Sequence, residues 1–189
     1  MTTRAAALAV NPAASTALRG TRGFFKRTPW VFTYFDVKQQ FEVNSPEVKL
    51  FLGTNLGFAI SGAAVGTFGG DPALGLLSEM AGGASLLYHS QQCFRGGTER
   101  PAVQLAMAID YLFALPSLGL GLQYALALPA DARPESGIAL AVSSFLCLLG
   151  GWVCTEPIEY LVTHGLWHVF ACAAAYQFAL AHSAAAILG

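Results

Sequence analysis

The chain has 189 residues, of which 54% are hydrophobic and only 11% charged, where a soluble domain carries about 25% charge. That deficit points to a bilayer as the surrounding solvent, and a net charge of −1 offers no grip for a nucleic acid. The four cysteines, Cys93, Cys147, Cys154 and Cys172, lie in or beside apolar runs without CxxC spacing. They read as reduced, small apolar packing residues.

In chain order, residues 1–49 form a basic, aromatic N-terminal arm. The first 35 residues hold no Asp or Glu but carry Arg4, Arg19, Arg22, Lys26 and Arg27 among Ala, Ser and Thr. That pattern resembles an organellar transit peptide, and it fits a basic cytosolic arm equally well. The stretch "FFKRTPWVFTYF" suits the membrane interface, where Trp and Tyr are favoured.

The helical domain follows, residues 50–189. A transmembrane helix needs about 20 mostly apolar residues, and five stretches qualify: 50–68, 73–94, 102–128, 137–154 and 158–188. The breakers between them are "GGDP", "RGGTERP", "LPADARPESG" and "TEP". Pro101 and Pro157 stand where a helix begins, since a first-turn proline forfeits no helical hydrogen bond. Gly62-x-x-x-Gly66 lets two helices approach closely. The expected fold is an all-α polytopic transmembrane bundle of about five spans. Nine of the ten Lys and Arg fall on one side of it: Arg4, Arg19, Arg22, Lys26, Arg27, Lys38 and Lys49 in the arm, and Arg95 and Arg100 in the second loop. Only Arg133 falls on the other. The positive-inside rule then places the N-terminus inside and the C-terminus outside.

Ionisable residues inside spans are costly, so each is a functional candidate. Span two carries Glu79 and His89, span three Asp110, and span five Glu159, His164, His168 and His182. The charge-derived topology puts His89 near the inner end of span two. At 1.5 Å per residue, Asp110 lies about 13 Å along span three, and His164 and His168 lie about 10 and 16 Å along span five. Three histidines and one aspartate from three helices thus converge on the inner half of the bilayer. His164 and His168 share one helical face at i, i+4, the spacing by which two imidazoles reach one ion. His89 completes a three-histidine set, and three protein ligands plus water is the catalytic zinc arrangement. Asp110 is placed to orient or deprotonate that water. Ser85, one turn before His89, is placed to hydrogen-bond the water or a developing oxyanion. Glu79 lies about 15 Å from His89 by helical rise and reads as a packing or lumen-facing residue. Glu156 and Glu159 suit the positive end of the last helix, and His182, near the far surface, reads as incidental.

The order Ser-x-x-x-His in "SLLYHS", then Asp110, then His-x-x-x-His in "HGLWHVFACAAAY" resembles the CREST superfamily. That superfamily comprises alkaline ceramidases, progestin and adipoQ receptors, GPI-lipid remodelling proteins and relatives. The resemblance covers roughly residues 50–128 and 155–180. It implies that His89, His164 and His168 bind Zn2+, that Asp110 is the acid/base, and that Ser85 supports the water or oxyanion. It implies a membrane lipid amide or ester as substrate; the host membrane of this integral membrane protein is expected to be that of the ER/Golgi, a mitochondrion or a plastid. Its receptor branch runs N-inside and C-outside, in agreement with the charge count. Members of the superfamily have seven spans, three of them between the Asp helix and the His-x-x-x-His helix. Here one, 137–154, stands between them, so this would be a shortened member.

Two other readings compete with a zinc hydrolase. One is an accessory subunit of a larger mitochondrial or plastid membrane complex, holding other membrane-protein subunits and a vestigial or structural metal. The other is axial ligation of a haem or pigment by His89 with His164 or His168, in which Asp110 and Ser85 have no part.

Overall fold

The computed structural model describes residues 41–96, 100–154 and 156–188, and every regular element among them is helical. Most of the basic N-terminal arm, residues 1–40, lies outside the described residues. The described residues form six α-helices: α1 (Pro46–Gly53), α2 (Leu56–Thr67), α3 (Pro72–Arg95), α4 (Pro101–Ala127), α5 (Glu135–Val153) and α6 (Pro157–Leu188). A single 3-10 turn, Ala130–Ala132, bridges α4 and α5.

The helix starts follow local chemistry. Ser45 Oγ accepts from Val48 N at 3.3 Å, with Pro46 next in the chain. Asp71 Oδ1 accepts from Leu74 N at 2.9 Å, again followed by proline. Both side chains satisfy a donor that the first helical turn leaves orphaned. Glu159 Oε2 accepts from Glu156 N at 3.3 Å, so this acid does serve the start of the last helix.

Among the described residues, four segments are long and apolar enough to cross a membrane: Pro46–Thr67, Pro101–Ala127, Glu135–Val153 and Pro157–Leu188. The expected second span, 73–94, is a helix of 24 residues, about 36 Å long. It is absent from that group of four because it carries polar side chains, among them Glu79, Ser85, His89, Gln91 and Gln92. Of these, Ser85, His89 and Gln92 are buried. The expected first span, 50–68, begins earlier and is interrupted. α1 starts at Pro46, and Thr54 and Asn55 separate it from α2.

The helices pack in the order α4, α3, α2, α6, α5, with α1 lying against α6 and α3. A polar cluster lies inside the apolar core, and the outside is unusually apolar. The interior holds Asn55, Ser61, Ser85, His89, Gln92, Asp110, Ser144, His164 and His168. The outside shows Leu112, Leu115 and Leu122 of α4, Val142, Phe145 and Leu146 of α5, and Val162 and Val169 of α6. Large apolar side chains cover the outside, while His89, Asp110, His164 and His168 face inward, as ionisable groups in a lipid solvent must; Glu79 of α3 is exposed. The Gly62-x-x-x-Gly66 motif is a packing seam. A Cβ on Gly75 of α3 would stand 2.6 Å from Gly62 O and 2.8 Å from Gly66 N, so α2 and α3 meet backbone to backbone.

Candidate metal centre

His89 is on α3, and His164 and His168 are on α6. All three are buried, and one ring nitrogen from each lies within 4.8 Å of the others. The centroids of His89 and His164 are 4.8 Å apart, those of His89 and His168 5.3 Å, and those of His164 and His168 4.8 Å. The three form a group that can hold a metal ion. The i, i+4 spacing puts His164 and His168 on one side of α6, from which both rings reach that of His89 on α3.

The nitrogens fit that role. His89 Nε2, His164 Nδ1 and His168 Nε2 are buried and have no hydrogen-bond partner. A buried polar atom without a partner costs about 1–3 kcal/mol, and three in one cluster amount to a defect unless something binds them. Neutral imidazoles are the right donors for a borderline-soft divalent ion. The ring contacts of 4.8–5.3 Å leave no slot for a porphyrin between them, so the geometry gives axial haem ligation no support.

An aromatic jacket encloses the trio. Phe51 of α1 lies 4.8 Å from His89, 6.1 Å from His164 and 6.2 Å from His168, ring centre to ring centre. Tyr88 flanks His89 at 4.7 Å, Tyr160 flanks His164 at 5.0 Å, and Trp167 touches both histidines of α6 at 4.9 and 4.8 Å. Phe58 meets His168 at 5.4 Å. Such surroundings keep bulk water away and strengthen every electrostatic interaction inside.

Asp110 does not join the histidine group. With Ser85 it lines a neighbouring cavity of about 30 Å³, walled in part by Phe58 and Trp167, the same rings that flank the histidines. That volume has room for about two waters. Asp110 is 9% exposed, Ser85 4%, and Asp110 Oδ1 is buried without a partner. The five expected residues therefore divide into a trio of nitrogens and an adjacent polar cavity.

Two residues the sequence reading passed over contact the trio. Gln92 Oε1 lies 3.1 Å from His89 Nδ1, and Thr54 Oγ1 lies 2.9 Å from His168 Nδ1. Gln92 carried a usable signal, being three residues after His89 and so on its helical face. Thr54 carried none beyond being polar within an apolar run. His182 lies outside the trio and makes a packing contact: Nε2 donates to Tyr124 O at 2.8 Å, and its ring stacks on Tyr124 at 3.9 Å. Comparison with known protein families, curated proteins and solved structures finds no match to this chain.

Proposed function

We propose that the protein is an integral-membrane, zinc-dependent hydrolase of a lipid amide or ester, ceramidase-like, as its resemblance to the CREST superfamily implies. The observation that carries this reading is the buried trio of partnerless imidazole nitrogens beside a water-sized cavity that contains Asp110 and Ser85. His89, His164 and His168 would hold the ion. Zinc bound there supplies Lewis acidity, lowering the pKa of a water to about 7. Asp110 takes a proton from a water in the cavity and returns it to the leaving amine or alcohol. General acid–base catalysis of this kind is worth about 10²–10⁴-fold. Ser85 donates its hydroxyl proton to the oxyanion that develops on the scissile carbonyl. The aromatic jacket excludes bulk water.

In this reading α3 also crosses the bilayer, packed between α2 and α4, which makes five spans with the N-terminus inside. The host membrane is that of the ER/Golgi, a mitochondrion or a plastid. A second reading is a non-catalytic accessory subunit of a larger membrane complex with a structural metal. One observation favours it: the cavity of about 30 Å³ admits water and not an acyl chain.

Metal analysis of detergent-purified protein beside a His164→Ala/His168→Ala variant tests the site. About one zinc per chain, lost in the variant, is expected. Release of a fatty acid from a panel of ceramides and glycerolipids, abolished in the same variant, is the expected activity. Zinc binding without turnover, together with co-purification in a stable assembly, would favour the accessory subunit. Metal content and turnover both unchanged in the variant would sink the hydrolase.

A further inference from the structure

We propose that Thr54 and Gln92 are positioning residues that lock His168 and His89 in the Nδ1-protonated tautomer, so that each ring presents a bare Nε2 to the metal. The inference rests on the reading of the trio as a metal site and adds the groups that set its ligand atoms.

The assignment follows from proton accounting. A threonine hydroxyl has one proton. Thr54 Oγ1 gives it to Phe51 O at 2.6 Å. Toward His168 Nδ1, 2.9 Å away, the oxygen can therefore only accept, so Nδ1 carries the ring proton. Neutral imidazole has one N–H, which leaves Nε2 with a free lone pair, and Nε2 is the atom of His168 that is buried without a partner. His89 repeats the pattern on another helix. Gln92 Oε1 has no proton to give, so His89 Nδ1 donates to it at 3.1 Å, and His89 Nε2 is left bare and partnerless. Tyr160 OH donates to the same Oε1 at 3.5 Å, which helps to hold the amide oxygen toward His89.

The interruption between α1 and α2 serves this arrangement. Around it the backbone bonds tighten to the three-residue spacing: Asn55 N to Leu52 O, Gly57 N to Thr54 O and Phe58 N to Asn55 O, each at 3.2 Å. A local change of hydrogen-bond spacing inside a helical run often marks a functional position. A helical threonine ordinarily spends its hydroxyl on the preceding turn alone. Thr54 does that and also reaches a ring on α6, so the first membrane-crossing segment becomes part of the metal site.

Outer hydrogen bonds of this type are worth about 10–100-fold in metal affinity. The test measures zinc dissociation constants by chelator competition on the full chain in detergent, with 15N spectra of the metal-free protein to read the histidine tautomers. Thr54→Val and Gln92→Leu should each weaken zinc binding about 10–100-fold. Thr54→Ser and Gln92→Glu, which keep the acceptor oxygen, should restore it. Metal-free wild type should show His89 and His168 protonated at Nδ1, with that preference lost at His168 in Thr54→Val. Wild-type affinity in Thr54→Val and Gln92→Leu, or Nε2 protonation in the metal-free protein, overturns the positioning role. If His164→Ala/His168→Ala also binds like wild type, the metal reading itself has failed. If that variant alone loses zinc, the metal reading stands and only the positioning role falls.

Discussion

Asp110 shows how little of a site one side chain defines until its neighbours are known. In the sequence it is an acid in an apolar run. In the structure its Oδ1 is buried, lacks a partner and faces a cavity shared with Ser85. Its proposed role is proton transfer and not ligation, so Asp110→Asn should retain zinc yet lose about 10²–10⁴-fold in lipid hydrolysis. Loss of zinc in that variant would make the carboxylate a ligand instead. Phe51 is the other single residue with a defined task, since its ring approaches all three imidazoles. Truncating a buried phenylalanine costs about 3–5 kcal/mol through lost contacts and the cavity left behind. Phe51→Ala should therefore lower the thermal midpoint markedly, as followed by fluorescence. The three histidines were legible from spacing and depth because helical rise converts sequence separation into distance. Thr54 was not, because a contact between residues 114 apart in the chain leaves no local pattern.

At the scale of elements, α2 and α3 depend on glycine for their approach. Gly75→Ala would drive a methyl against the backbone of Gly62 and Gly66, and backbone cannot rotate out of the way as a side chain can. Overpacking of this kind costs about 1–3 kcal/mol. Gly83→Ala, where a Cβ meets nothing within 4 Å, should cost nothing by comparison. Thermal unfolding of the pair, side by side in one detergent, checks the seam. The C-terminus of α4 shows a different device. Its last carbonyls have no helical donors, and two side chains from elsewhere supply them. Arg133 Nη2 donates to Leu126 O and Arg133 Nε to Leu128 O, both at 3.0 Å, while His182 takes Tyr124 O. Arg133→Ala and His182→Ala should each destabilise the protein by about 1–2 kcal/mol while leaving zinc content intact, because both lie outside the trio. A drop in zinc content in either variant would show that the far end of α4 is coupled to the centre. Arg133 entered the sequence reading only as a charge on one side of the bilayer, and His182 only as a histidine remote from the others. A capping role depends on which carbonyl lies opposite, and only the folded chain decides that.

For the whole molecule, the trio joins α3 to α6 across the helix row, and Phe51 and Thr54 bring in the first segment. A ligand that binds only the folded state stabilises it by mass action, by about 2.7 kcal/mol at a hundredfold excess over the dissociation constant. Zinc should accordingly raise the thermal midpoint and a chelator should lower it, with no response in His164→Ala/His168→Ala. A midpoint indifferent to zinc in wild type would mean that the metal does not tie these helices together. The same scale governs topology. Five crossings place the chain ends on opposite sides of the membrane, and four place them on the same side. With α3 crossing and the N-terminus inside, as proposed, a reporter fused after Leu188 should read the outer compartment; an inner reading would overturn that topology.

Composition and breakers were enough to determine an all-helical chain with long apolar helices, and loop charge with helical rise was enough to bring the three histidines together as one group. These are properties of local sequence: hydropathy follows side-chain chemistry, and helical periodicity follows backbone geometry. Several features came only from the tertiary structure. They are the interruption at Thr54–Asn55, the division between the nitrogen trio and the Asp110–Ser85 cavity, the Gly75 seam, and the hydrogen bonds of Thr54 and Gln92 to the imidazoles. Each depends on which faces of separate helices meet. That choice is made by packing among residues far apart in the chain, where the spacing rules of a single helix no longer apply.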